Sequence, residues 1–133
     1  MNIEEHQKAY HEHLEHLKRA IDEGVEEHQR NVGFNVSQGA TELFAIYLHS
    51  LHIIQGSGDQ FDHRIFKSKS LLKKKLPQEF PHRNEILSIM GAIEQERNVL
   101  CYGIRKPRER IERMIGYFNK LREIINRGLK DAA

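Results

Sequence analysis

Eleven residues near the last third of the chain hold the side chains best suited to chemistry: Ile93-Glu94-Gln95-Glu96-Arg97-Asn98-Val99-Leu100-Cys101-Tyr102-Gly103. On a helix Glu94 and Arg97 stand at i, i+3 and Glu94 and Asn98 at i, i+4, so the three are expected to form one polar cluster. The apolar stripe from Ile86 to Ile93, continued by Leu100, faces a core and sets Arg97 at the boundary between core and solvent. A guanidinium is the side chain best matched to a phosphate, being planar, forked and permanently charged. The plainer account of the same residues is a structural Glu94–Arg97 pair with a tyrosine capping the helix. Beyond Gly103, Arg105, Lys106 and Arg108 form a basic patch that could assist phosphate binding, although Glu109 and Glu112 lower its potential. The Lys73–Lys75 run is a second candidate surface for simple charge contacts.

Nine histidines invite a metal reading. A helical metal site needs carboxylate and imidazole ligands projecting together, as in a Glu followed by His at i+3. The sole Glu with this spacing is Glu79, and its partner His82 lies across Pro81. His13/His16 and His49/His52 are neighbours at i, i+3, yet the histidines of the first helix fan around it. No metal ligand set and no cofactor are expected. A Gly-rich phosphate loop and a serine-hydrolase nucleophile motif are both absent from the sequence.

These residues must be carried by helices. Ile3, Tyr10, Leu14, Leu17, Ile21 and Val25 repeat at helical spacing, predicting a helix over about 2–30 that is interrupted at Asn31-Val32-Gly33. Whether Gly33 separates two helices or loosens one long rod stays open at this point. Val36, Ala40, Leu43, Phe44, Tyr47, Leu48, Leu51 and Ile54 mark a second helix ending before Gly56. A turn-rich segment, Gly56–Asp62, leads to a shorter basic helix over about 63–75, stopped by Pro77. Pro81 suits the first turn of a fourth helix running to Tyr102, with Gly103 expected in the left-handed conformation. Pro107 opens the last helix. The expected architecture is all-α, an antiparallel bundle of about five helices starting near residues 2, 35, 63, 82 and 107, in one domain spanning 1–133. Leu14, Leu17, Ile21, Leu43, Phe44, Leu51, Ile89, Ile93, Ile115, Phe118 and Ile125 are the expected core.

Composition agrees with a globular chain. Of 133 residues, 36 are Leu, Ile, Val or Phe, which is above the level of roughly 20% below which disorder is expected. The net charge of +2 hides an asymmetry: residues 1–30 carry eight acidic against four basic side chains, and the remainder 11 against 17. That distribution points to local basic patches and away from a dedicated, strongly basic nucleic-acid binder. No apolar run approaches the ~18 residues of a membrane span. The polar start MNIEEHQKAYHEH does not read as a signal peptide, and the lone Cys101 excludes an intramolecular disulfide framework. A soluble, cytoplasmic protein is expected.

At Glu94 to Gly103 the sequence resembles the HEPN superfamily, small all-helical domains of higher eukaryotes and prokaryotes. Their signature is an Arg, then a polar Asn, Asp or His, then a His after four to six intervening residues. Arg97-Asn98 matches its first half, and Glu94 resembles the acidic residue often found before it. After four intervening residues this chain has Tyr102 in place of the His, and no other Arg is followed by a His at the required spacing. The resemblance implies a homodimer in which the Arg97 side chains of two subunits share a cleft. Metal-independent RNA cleavage there would use attack of a 2′-OH on the adjacent phosphate. A phenol with a pKa of about 10 is a poor base at neutral pH beside an imidazole near 6.5. The leading expectation is therefore a HEPN-like module that cleaves slowly or not at all, binding RNA, a nucleotide or a protein such as a nucleotidyltransferase in a toxin–antitoxin setting. One alternative is an active endoribonuclease using Arg97, Asn98, Tyr102 and Glu94; another is a His-rich helical metal protein.

Overall fold

The computed structural model describes residues 2–54 and 63–132, so the expected turn-rich segment Gly56–Asp62 lies outside the described residues. Within them the chain forms five α-helices: α1 Ile3–Glu23, α2 Gln29–Ser50, α3 Lys69–Lys75, α4 Arg83–Tyr102 and α5 Arg108–Ala132. A 3-10 helix, His63–Lys67, precedes α3, and there is no strand among the described residues. The expected all-α bundle is what the chain adopts.

The N-terminus of α1 is capped by Asn2, whose side chain accepts from the Glu5 N–H at 2.9 Å, while Glu4 and Glu5 favour the positive end of the helix dipole. The helix stops at Gly24, with φ of 122°, a conformation open to glycine and strained for other residues. The first helix therefore ends at Glu23, about seven residues earlier than expected, and Asn31-Val32-Gly33 lies inside α2. Gly33 serves packing here. A Cβ at that position would sit 3.0 Å from both Cys101 Sγ and Leu100 Cβ, so the missing side chain lets α2 and α4 approach closely.

Two further expectations change for local reasons. The basic segment 63–75 is divided because Ser68 adopts extended backbone and caps α3 by accepting from the Leu71 N–H at 3.3 Å. Gly103 ends α4 with φ of −91° and ψ of −177°, an extended conformation instead of a left-handed one. Its requirement is space: a Cβ would lie 2.5 Å from the Val99 carbonyl oxygen.

Contacts fix the helix directions. His6 meets Glu42 and His13 meets Asn35, so α1 and α2 are antiparallel. Ser37 meets Arg97 and Tyr47 reaches the Pro81 carbonyl just before α4, so α2 and α4 are antiparallel as well. Glu96 pairs with Arg110 while His82 pairs with Asp131, giving antiparallel α4 and α5. Gly39 lies against Phe118 and Tyr47 against Gly128, so α2 and α5 run in the same direction. Helix α2 packs on α1, α4 and α5 alike, which explains why so many of its residues are buried.

Leu17, Phe44, Ile93, Phe118 and Ile125 are buried as expected, whereas Leu14, Leu43, Leu51, Ile89 and Ile115 are half-buried against the core. Ile21 is exposed. The buried edge of α1 passes through Leu17 and Ala20, and Ile21 is turned about 100° from Ala20. Val25 in the following turn fills that end of the core. No helix among the described residues is long and apolar enough to cross a membrane.

Candidate functional site

Arg97 projects from α4 toward α2, on the face it shares with Ile93 and Leu100. It is only 7% exposed, deeper than the boundary position expected. Its Nη1 donates to Ser37 Oγ at 3.0 Å, and the guanidinium carbon lies 5.5 Å from the ring centre of Phe34. The Nε–H finds no acceptor among the described residues. Nor does any carboxylate there lie within ion-pair distance of Arg97, because the nearby acids are engaged elsewhere. An isolated buried cation is strongly disfavoured unless something negative accompanies it.

The expected Glu94–Arg97–Asn98 cluster does not form. Glu94, 1% exposed, turns to the 3-10 helix, where its two oxygens lie 2.8 and 2.9 Å from His63 Nδ1 and one lies 3.9 Å from Lys67 Nζ. Asn98 and Tyr102 point to solvent, Tyr102 with 74% of its surface free. The four residues singled out on α4 thus divide among three directions. Arg97 instead keeps company with residues of α2 that local spacing did not bring forward. Phe34 is half-exposed and meets the His13 ring edge-on at 5.6 Å, and His13 Nδ1 lies 3.0 Å from Asn35 Oδ1. Small residues at helical spacing, Gly33, Ser37 and Ala40, were the available signal that another helix crosses α2 closely at this point.

The basic patch beyond α4 is largely structural. Arg105 donates to the carbonyls of Glu26 and Glu27 at 3.1 and 3.4 Å, holding the α1–α2 connection. The Lys106 backbone N–H donates to Gln29 Oε1 at 2.7 Å. Arg108 pairs with Glu112 at 2.5 Å, which raises its pKa and offsets its charge. Arg30, not singled out from sequence, donates to the carbonyls of Cys101 and Gly103. Cys101 lies between these cations; burial pushes its thiol pKa up, and the opposing pull of Arg97 and Arg30 does not offset it.

The histidines find separate partners: His6 with Glu42, His28 with Glu23, His63 with Glu94 and His82 with Asp131. No group of three or more His, Cys, Asp or Glu among the described residues is arranged to hold a metal ion. No protein-family model, curated protein or solved structure matches the chain.

Proposed function

We propose that this chain is a HEPN-like module that binds a phosphate group of single-stranded RNA at Arg97 and cleaves it slowly or not at all. The observation that carries this reading is a buried guanidinium with one unsatisfied N–H and no counter-ion among the described residues. A phosphate at the exposed edge of the guanidinium supplies the missing charge, although Nε itself lies below the surface. The half-exposed ring of Phe34 beside it is suited to stacking an unpaired base, as single-strand binders do. Catalysis lacks support for the same geometric reason that binding has it. Ser37 and Phe34 touch the guanidinium and neither is a base at neutral pH, while the imidazole of His13 beside Phe34 is engaged by Asn35. A second copy is the natural protein partner on general grounds, because closed two-fold dimers are the commonest oligomers, and Tyr102 and Ile104 are exposed at the end of α4.

Fluorescence anisotropy with a labelled single-stranded RNA of mixed sequence tests the reading across a salt series. Affinity should fall as salt rises, with a slope of about 0.7 per phosphate contacted, and Arg97→Ala should lose most of it. Unchanged binding by Arg97→Ala would overturn the proposal. Sedimentation establishes whether the chain dimerises, and a gel assay follows cleavage. Because Tyr102 and Arg97 point in different directions, Tyr102→His should leave cleavage unchanged, and a clear rise would mean that the two meet across a dimer.

A further inference from the structure

The face of α4 turned about 180° from Arg97 lines a cleft in which Asn84, Ser88 and Gln95 follow one another. The 3-10 helix and α3 form the facing wall with Phe66, Lys67, Lys69, Leu72 and Lys73. The cleft holds about 650 Å³ and follows α4 from Arg83 to Gln95, a rise of about 18 Å. That length matches five residues of extended chain, at about 3.3 Å each. The walls come together at Gly91, where an added Cβ would lie 3.4 Å from the Phe66 carbonyl oxygen.

The cations of the lining are strung along the cleft. Arg83 opens α4, and its guanidinium is fixed by Nε donating to the Gln78 carbonyl at 3.1 Å and Nη2 to that of Leu76 at 2.9 Å. Lys67 stands toward the other end, 3.9 Å from Glu94, whose place on α4 is about 16 Å beyond Arg83. Lys69 and Lys73, both exposed and one turn apart on α3, add two charges on the facing wall. No carboxylate is among the described lining residues. Half-buried Leu87 and Ala92, with buried Phe66 and Leu72, make an apolar floor. Asn84 and Ser88 are separated by a rise of about 6 Å, close to the ~6.6 Å at which an extended chain repeats its groups on one side. Asn84, Ser88 and Gln95 each offer a donor and an acceptor.

A polyphosphate concentrates its charge and is matched by converging cations or by the backbone N–H groups of a glycine-rich loop. Cations spread over the length of a cleft suit charges that are themselves spaced along a chain. A fatty carboxylate brings one charge to four cations and leaves the amides without partners. An acidic peptide in extended conformation meets every part of the lining, since its main chain needs alternating donors and acceptors while its side chains seek cations and an apolar pocket. We propose that the cleft between α3 and α4 binds a short acidic segment of a partner protein. Its carboxylates would lie on Lys69, Lys73 and Arg83, its main chain along Asn84, Ser88 and Gln95, and one apolar side chain on the Phe66–Leu87 floor. This site is separate from Arg97 and does not rest on the RNA reading.

Titration calorimetry with the end-capped peptide Glu-Glu-Phe-Glu-Glu tests the proposal, with Gln-Gln-Phe-Gln-Gln and Glu-Glu-Ala-Glu-Glu as controls for charge and for the apolar anchor. Each control should bind at least about tenfold more weakly than the parent peptide. Lys69→Glu/Lys73→Glu should weaken binding of the parent peptide at least about tenfold as well. Lys120→Glu/Arg127→Glu, which reverses two exposed charges on α5 outside the cleft, should leave it unchanged. Ser88→Trp, at an exposed position, should block the cleft without removing a charge, and circular dichroism checks that each variant is folded. Equal binding of either control peptide, an equal loss in the α5 variant, or no binding at millimolar peptide would each overturn the assignment. Tighter binding of inorganic triphosphate than of the peptide would overturn it too, and would make the cleft a phosphate site.

Discussion

Replacing Arg97 with methionine removes the charge while retaining much of the side-chain length. The substitution forfeits a charge-assisted hydrogen bond to Ser37, about 1.5–3 kcal/mol. It also forfeits the cation–π contact with Phe34, about 0.5–2 kcal/mol. Against these stands the desolvation of a cation that is 7% exposed with no carboxylate partner among the described residues, which is several kcal/mol. The balance favours the variant: in anion-poor buffer Arg97→Met should be more stable by about 1 kcal/mol or more, raising Tm by roughly 4 °C for a chain of this size. Anions reverse the order. At a phosphate concentration about 100 times its dissociation constant the parent protein gains ~2.7 kcal/mol and the variant gains nothing. Urea unfolding followed by far-ultraviolet circular dichroism, with and without phosphate, reads both effects. A variant less stable by about 2 kcal/mol in anion-poor buffer would show that the guanidinium is a net structural asset. Equal gains from phosphate would refute the anion site itself.

Gly128→Ala should destabilise the bundle by about 1–3 kcal/mol, because its Cβ would lie 2.3 Å from the Tyr47 hydroxyl. That hydroxyl is fixed by donating to the Pro81 carbonyl at 2.7 Å, so a neutral result in urea unfolding would mean that the ring shifts freely. Phe118→Ala, at a position 1% exposed, should cost about 3–5 kcal/mol; a loss below about half a kilocalorie would remove Phe118 from the core. Cys101, with its thiol pKa raised by burial, should be alkylated more slowly at pH 8 than a free thiol and more slowly still in Arg97→Met, where a neighbouring cation that favours the thiolate is gone. Equal alkylation rates in the two proteins would show that Arg97 does not act on the thiol.

Local signals served the helices at the end of the chain well. Pro107 and the long apolar stripe from Ile111 to Ile125 define α5 without reference to anything distant. The α1–α2 break was harder because both Gly24 and Gly33 qualify as interruptions. A glycine inside a helix costs about 1 kcal/mol, a penalty that the close approach of Cys101 and Leu100 offsets at Gly33 alone. On α4, the nearness of Arg97 to the core was legible from its place on the helix, although it lies deeper than the stripe suggested. Its surroundings were not, since Ser37 is 60 residues away in sequence. Glu94 offers the same lesson in reverse. The i, i+3 spacing favours Arg97, yet the carboxylate faces the distant His63 and Lys67 instead.

Gln29 binds three separate pieces of chain: its amide nitrogen donates to the Leu100 and Ile104 carbonyls, both at 3.1 Å, and its oxygen accepts from Lys106. The final turn of α4 and the bend into α5 are thereby made hard to fray without also loosening the start of α2. Tyr102 and Ile104, the most exposed large hydrophobic side chains among the described residues, sit on that stiffened bend. A partner docking there would meet side chains whose backbone is already ordered, so the entropy usually lost when a loop is immobilised on association has been lost on folding. Complex formation at this corner should then resemble the meeting of two finished surfaces, with little backbone rearrangement on this side.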